Sequence, residues 1–299
     1  PPPAPLSTVA GLDLQLRVQD QAAQALRRVR YERGALNFET VQAKPVFNDG
    51  VLTDMRADER NRAKELIEDF MVSANGVIAR FLEDRRRLSL RRVLRAPERW
   101  PRIVALALQY GAQLPAEPDA VALNRFLTEL RDKDPKNFPD LSLSVIKLLG
   151  AGEYAAEAPE GIATRYNSGH FGLAVNDYTH ATAPNRTLID LIVQRLVKAA
   201  LSGGPEPYPL QELQAIAVHC NEQARNAAKV ERQVRKAATA LLLAPRVGER
   251  FHGVITGASA KGTWIRMDHR VAEGKVVRGA EGLDAGDCVS VELVGVDPA

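Results

Sequence analysis

Sulfur is scarce in this sequence. Its 299 residues hold two cysteines, Cys220 and Cys288, far apart. That excludes a disulfide framework and a zinc-type spacing, and it fits a reducing, cytoplasmic setting. Long apolar runs are absent as well. None approaches the roughly 20 residues of a membrane-spanning helix, so no membrane partner is expected. The first residues, PPPAPLSTVAG, lack the basic region and apolar core of a signal peptide. They read as a linker or the edge of a larger unit. GxxxxGKS/T, GxSxG and HExxH do not occur, which removes support from three large enzyme classes. The five histidines, His170, His180, His219, His252 and His269, show no ligand spacing. A compact carboxylate cluster suited to a pair of magnesium ions is missing too.

What remains is ordinary globular composition: 45% hydrophobic, 26% charged, net charge +3. The length suggests about two domains. Charge is unevenly spread. Nine arginines fall between Arg80 and Arg102, against Glu83, Asp84 and Glu98. This stretch is either a solvated helix face or a phosphate-contacting wall.

Helical spacing runs from about Leu12 to Tyr31, and Gly34 ends it. Leu36 and Phe38 then alternate with polar residues as in a strand. Phe38 reads locally as a core aromatic. KPVF, the turn Asn48-Asp49-Gly50, and VL suggest a hairpin. The clearest helix spans Asp58 to Leu82, with apolar residues at i, i+3, i+4 and i+7 and Asp58 as a possible cap. Glu68 and Asp69 lie on it about 100° apart, so only one of them easily faces any given site. Shorter helical segments follow, near residues 100–110, 119–130 and 141–149, separated by proline and glycine breaks. A polar, alanine-rich loop follows Gly150.

The stretch HFGLAVNDYTHATAPNRTLIDLIVQRL, His170 to Leu196, is the centre of interest. Pro184 stands at or just before a helix start, where its missing N–H costs nothing. Arg186 comes next but one. A guanidinium at the positive end of a helix, beside loop backbone, suits a phosphate; the plainer alternative is a first-turn arginine on a surface helix. A long helix runs from about Leu210 to Leu243. Glu231 falls inside its apolar stripe, between Ala227 and Val234. A carboxylate there needs a solvated cleft or a cation partner.

From Arg246 the texture changes to short β-branched runs between glycines: RFHGVITGAS, GTWIRM, GKVVRG, DCVSVELVGV. This predicts a small β-barrel or sandwich. The fold class expected is α+β, a mostly helical part over residues 1–245 followed by a small barrel over 246–299.

The ordered pieces resemble the ribonuclease II and ribonuclease R family, the RNB exoribonucleases. The matching runs are RGALNFE at Arg33 to Glu39, AKELIEDFMVSAN at Ala63 to Asn75, HFGLA at His170 to Ala174, YTHATAPNR at Tyr178 to Arg186, and KVERQVRKA at Lys229 to Ala237. The resemblance implies the C-terminal part of an RNB catalytic domain, then an S1-type OB-fold RNA-binding domain. It implies a magnesium-dependent enzyme degrading single-stranded RNA processively from its 3′ end to 5′ nucleoside monophosphates. In it Arg186 engages the scissile phosphate, Glu231 helps fix the terminal nucleotide, Phe38 stacks on the last base, and Glu68 or Asp69 reads the ribose 2′-OH. Tyr178 joins the RNA-contacting set, and Phe251, His252, Lys261 and Trp264 are candidates on the barrel. Ala183, Thr187 and Leu188 depart from the family's serine, basic residue and tyrosine. The family's metal-binding aspartates lie upstream of the RGALNFE run, where this chain has only Asp13 and Asp20. The resemblance therefore implies a longer parent enzyme, with the magnesium ligands upstream and a closing strand beyond VDPA. A non-catalytic RNA-binding module, or an inactive relative, is the other expectation. A monomer is expected.

Overall fold

The computed structural model describes residues 8–38, 43–57, 61–135, 138–159, 169–175, 177–259, 262–267, 272–284 and 287–297. Asp58, Lys261 and His269 lie outside the described residues. The chain divides into two compact units, Pro1–Glu39 with Arg60–Gln223, and Thr40–Glu59 with Ala224–Ala299.

The first unit is mostly helical. Helix α1 (Leu12–Glu32) packs along α2 (Arg62–Asp84). Asn61 starts α2, its side-chain oxygen accepting the Lys64 N–H at 3.0 Å, as a good cap does. The buried face of α2 carries Asp69, Val72, Asn75, Gly76, Ala79 and Leu82, the helical spacing read from the sequence. Helices α3 (Trp100–Gln109), α4 (Ala120–Lys133) and α5 (Phe138–Leu149) enclose one core around Trp100, Ile103, Leu123, Leu127 and Val145. Helix α6 (Leu188–Ser202) and the start of α7 (Leu210–Leu243) enclose another, where Ile189, Val193, Leu196 and Leu213 meet Leu82 and Leu90.

Two features differ from the sequence expectation. Residues 35–38 form no strand; Leu36 N–H donates to the Gly172 carbonyl at 2.9 Å instead. An antiparallel ladder joins Ser89–Val93 to Glu153–Glu157, within stretches read as arginine-rich helix and loop. Charged side chains at both strands hid it. The hairpin formed as expected: Ala43–Asn48 pairs with Val51–Ala57 through Asp49 and Gly50, at φ 51° and 79°. Two positive φ values in a two-residue loop are the demand that Asp-Gly meets.

In the second unit the end of α7 and the hairpin share a small core of Met55, Ala238, Leu52 and Leu242. The barrel expected for the C-terminal part is not formed. Arg250–Ser259, Gly262–Met267, Glu273–Val276 and Cys288–Glu292 make an open antiparallel sheet. The Glu273–Val276 strand lies at one edge and Cys288–Glu292 at the other. Closure requires the two edge strands to meet with matched tilt and stagger. These edges span four and five residues, and between them the concave side stays an open trough lined by Phe251, Ile265, Met267, Val289 and Val291. Among the described residues no helix is long and apolar enough to cross a membrane.

Gly34 sets the exit from α1. Its φ is +93°, and a Cβ would stand 2.8 Å from Val121 N and 2.9 Å from Ala120 C, both backbone. Gly34→Ala is expected to cost roughly 2–5 kcal/mol, from left-handed strain plus overpacking. Gly111 has φ +75° but open space around it, so Gly111→Ala carries the strain alone. Urea unfolding of both variants measures the difference; equal losses would show that the α4 backbone does not press on Gly34.

Candidate functional site

The segment from Tyr178 to Arg186 is tied down at several of its residues. The Tyr178 carbonyl accepts the Arg92 N–H at 2.8 Å. Thr179 Oγ1 donates to the Leu90 carbonyl at 2.5 Å. Ala181 N–H donates to Asn75 Oδ1 at 3.0 Å, and its carbonyl accepts from Gln194 Nε2 at 2.8 Å. Ala183 N–H donates to Asp190 Oδ1 at 2.9 Å, while its carbonyl accepts from the N–H groups of Arg186 and Thr187. Arg186 then stands one residue before Thr187, the N-cap of α6. Its side chain is exposed, and among the described residues it makes no ion pair. A fixed backbone thus presents a free guanidinium beside the N-terminus of a 15-residue helix, a geometry that favours anions.

Behind this loop lies a chain of rings. His170, Tyr178, His180 and Tyr154 meet edge to face at centroid separations of 5.5–5.6 Å. Arg92 lies over Tyr154 at 4.6 Å. Burial, and then the nearby Arg92 charge, pushes the His180 imidazole below its ordinary pKa, while burial raises the Tyr154 phenol. Both shifts make the Tyr154 O–H the donor and His180 Nδ1 the acceptor across their 2.9 Å contact. Asn221 holds Tyr154 in turn, accepting its N–H at 2.7 Å and donating to its carbonyl at 2.9 Å.

Tyr178 also borders an open groove of about 730 Å³, with Lys64, Ile67, Glu68 and Met71 of α2 and Leu173. Glu68 and Tyr178 are therefore brought together. Asp69 is turned the other way, 2% exposed, between Arg27 and Arg30 of α1. Phe38 is half-buried against the α3–α5 core.

Other expected site residues fare differently. Glu231 is not buried on an apolar stripe: its side chain is 69% exposed and bonds Arg235 at 2.6 Å, one turn along α7. The stripe is buried only where α7 meets a core, at Leu213 and Ala217 and again at Ala238, Ala240 and Leu243. Residues 222–234 are exposed throughout. Phe251 is a core residue, 8% exposed, with the Arg246 guanidinium over its ring. Trp264 is half-buried, in register with Lys275 on the neighbouring strand. Five of the nine clustered arginines have structural partners. Arg85 stacks on Phe81, Arg87 bonds Glu206 and the Gly204 carbonyl, and Arg91 binds Glu83 and Glu157. Arg92 stacks on Tyr154, and Arg95 pairs with Glu153. Part of the cluster is thus engaged within the fold.

Comparison with known proteins decides the family. The RNB domain model matches residues 3–203, and the model of the RNase II-type exonuclease C-terminal S1 domain matches residues 249–299. The chain belongs to the RNB family. Ribonuclease R 1 of Lactococcus lactis is 28% identical over 278 residues, covering 90% of this chain and 33% of that protein. The apo form of Mycoplasma genitalium RNase R matches with a TM-score of 0.83 at 20% identity, over 96% of this chain and 48% of that one. Its complex with ribose-methylated single-stranded RNA gives 0.82 at 21% identity, with the same coverage. This RNB chain therefore spans about a third of the length of the curated relative it matches.

The donor set of this RNB chain does not fit a magnesium site. Among the described residues no three of His, Cys, Asp and Glu come together to hold a metal. Asp69 is neutralised by two arginines, Glu231 by Arg235, and Asp190 is engaged by a backbone N–H. No step through a metal is assigned to these residues. The sequence reading passed over Asn75 and Asp190 as functional groups. Their signal was present: each is a polar residue on the buried side of an otherwise apolar helical spacing, a costly place without a partner.

His170 supplies a pH test of this RNB loop. Burial first, then the Arg92 charge, lowers its pKa from 6.5 to about 4, and its Nδ1 accepts the Leu173 N–H at 3.3 Å. Protonation would turn that acceptor into a donor. Between those two values the unfolded chain binds the extra proton. The stabilisation is thus present in full above pH 6.5 and is lost as pH falls towards 4. The loss is up to about 3 kcal/mol. His170→Asn, which keeps an acceptor but does not titrate, should flatten this part of the stability profile in urea unfolding between pH 7.5 and 4. An unchanged slope would refute it.

Proposed function

We propose that this chain supplies the phosphate-engaging and nucleotide-clamping part of a 3′→5′ hydrolytic exoribonuclease. It acts on single-stranded RNA processively, in the cytoplasm and as a monomer, and releases 5′ nucleoside monophosphates. Residues 1–245 are read as the C-terminal portion of the catalytic domain, and residues 246–299 as an S1-type RNA-binding domain. The observation that carries this is the pinned Tyr178–Arg186 segment, which ends in an exposed guanidinium within an RNB-family chain. The solved complex of a relative with RNA supports the substrate class. The two free thiols, Cys220 and Cys288, suit a reducing compartment.

In the reaction water attacks phosphorus at the 5′ phosphate of the terminal nucleotide. The bond from phosphorus to O3′ of the preceding ribose breaks, and O3′ leaves with the shortened chain. Negative charge on the phosphoryl oxygens is held by the Arg186 guanidinium, which needs no reorganisation because its loop is already fixed. Glu68, on the groove wall beside Tyr178, is the carboxylate that accepts from a ribose 2′-OH; Asp69 is committed to α1. Phe38 stacks on the last base. Trp264 offers a ring on the S1-type part, whereas Phe251 stays in the core. Magnesium, in this reading, is held by the parent enzyme's upstream residues.

A second reading, a non-catalytic RNA-binding module, is favoured by the donor set, in which Asp69, Glu231 and Asp190 are each engaged. Steady magnesium-dependent release of mononucleotides from labelled RNA by this polypeptide would eliminate it.

Arg186→Ala should lower turnover of the full-length enzyme by about 100-fold or more, with RNA affinity changed less than about tenfold, because the guanidinium acts on charge that develops in the transition state. Single-turnover kinetics with separate titration of RNA binding reads both; parental turnover would reject the assignment. Glu68→Ala should reduce the preference for RNA over DNA by roughly 2–10-fold, the worth of one hydrogen bond. Asp69→Asn should leave that preference unchanged and cost about 3–5 kcal/mol in stability, because two arginines lose their counter-charge. Equal effects on discrimination would mean that the groove does not separate the two acids.

A further inference from the structure

We infer that Asp190 is a positioning residue for Arg186: its buried carboxylate sets the direction from which the guanidinium leaves the loop. This rests on the reading of Arg186 as the phosphate ligand.

Asp190 lies in the first turn of α6, three residues after the N-cap Thr187. A carboxylate there commonly turns back on the N-cap N–H to close a capping box. Here it does something else. Thr187 makes no side-chain cap bond, and its N–H goes to the Ala183 carbonyl. Asp190 reaches past it to the Ala183 N–H at 2.9 Å. Ala183 is therefore held on both sides of its residue. Its N–H is fixed to the helix, and its carbonyl accepts from Arg186 and Thr187 at 3.1 Å each. Alanine has no polar side chain with which to hold the turn itself. The Arg186 backbone is thus tied to α6 through Ala183, and the far end of that tie is Asp190.

Burial makes this tie strong. Asp190 is 3% exposed, so a lost partner cannot be replaced by bulk water, and hydrogen bonds to charged groups are the stronger kind. Gln194, one turn further along α6, repeats the device by donating to the Ala181 carbonyl. Asn75 completes it from α2. Among these three, Asp190 is the one anchored within the five-residue turn that contains Arg186.

A double-mutant cycle tests this in the full-length enzyme. Single-turnover cleavage of a 5′-labelled single-stranded oligoribonucleotide at saturating enzyme gives the rate. Amide hydrogen exchange at Ala183 reports the tie itself. Asp190→Ala should lower the cleavage rate about tenfold and speed Ala183 exchange. Asp190→Asn, which keeps an acceptor oxygen at the same place, should restore most of both. In an Arg186→Ala background, Asp190→Ala should change the rate by less than about twofold, because the group it positions is gone. A full loss in that background would overturn the inference, since Asp190 would then act on something other than Arg186. So would a normal rate for Asp190→Ala in an enzyme that Arg186→Ala impairs. An unimpaired Arg186→Ala enzyme would instead overturn the phosphate reading, and this inference with it. If Asp190→Ala does not fold, Asp190→Leu, which fills similar space without an acceptor, carries the same cycle with the same pattern of non-additivity expected.

Discussion

Two buried side-chain oxygens determine the shape of the Tyr178–Arg186 loop. Asn75 Oδ1 takes the Ala181 N–H and Asp190 Oδ1 takes the Ala183 N–H. Asn75 is 1% exposed and Asp190 3%. A buried acceptor left without its donor costs on the order of 1–3 kcal/mol, more when charged. In this conformation the loop lets α2 and α6 both bury these residues at low cost. The dependence runs both ways. Asn75 can sit on the packed face of α2 because the loop satisfies it, and the loop can hold a non-helical backbone because two helices satisfy it. The exposed arginine at its end inherits that rigidity, although among the described residues its side chain makes no ion pair.

Charge is handled by the same logic. The first unit buries Asp69 between Arg27 and Arg30, and buries Arg91 against Glu83 and Glu157. Such pairs add little net stability relative to an apolar core, yet breaking one is expensive. Their effect here is to fix which charges are spent. Arg91 ties the end of α2 to the strand ladder; Arg27 and Arg30 tie α1 to α2. Within the basic cluster, Arg87, Arg91 and Arg95 are engaged in ion pairs in the same way. Arg186 stands out against that background because its neighbours already satisfy one another.

Periodicity made much of the architecture legible. The α2 face, the extent of α7 and the Asp-Gly hairpin follow from local spacing and local backbone demands, and the structure has them near the expected bounds. Closure of the C-terminal sheet was not legible, because whether two edge strands meet depends on tilt and stagger across the sheet and not on any one segment. Glu231 shows a related limit. An apolar stripe states which residues share a face of α7, but it does not say where along the helix a neighbour covers that face. The ladder of residues 89–93 with 153–157 was hidden for the opposite reason: Arg91, Arg92 and Glu153 broke the apolar signal, although Arg91 is buried at 3% exposure.

The site is the case where sequence and structure needed each other. The order of motifs singled out Arg186, but the local pattern left it an ordinary surface arginine. Geometry does not remove that alternative by burying Arg186 or giving it a ligand. What it adds is the support of the backbone: residues 178, 179, 180, 181 and 183 are anchored by the strand at residues 89–93, by Tyr154, by α2 and by α6. Holding a backbone this firmly costs conformational entropy, of order 1–2 kcal/mol per residue fixed. A fold gains from that where a charged group must be in place before charge develops on its partner, because reorganisation is then not part of the barrier. On the proposed reading, the fixed backbone of the loop, and not the exposure of the arginine alone, is what suits Arg186 to engage a phosphate.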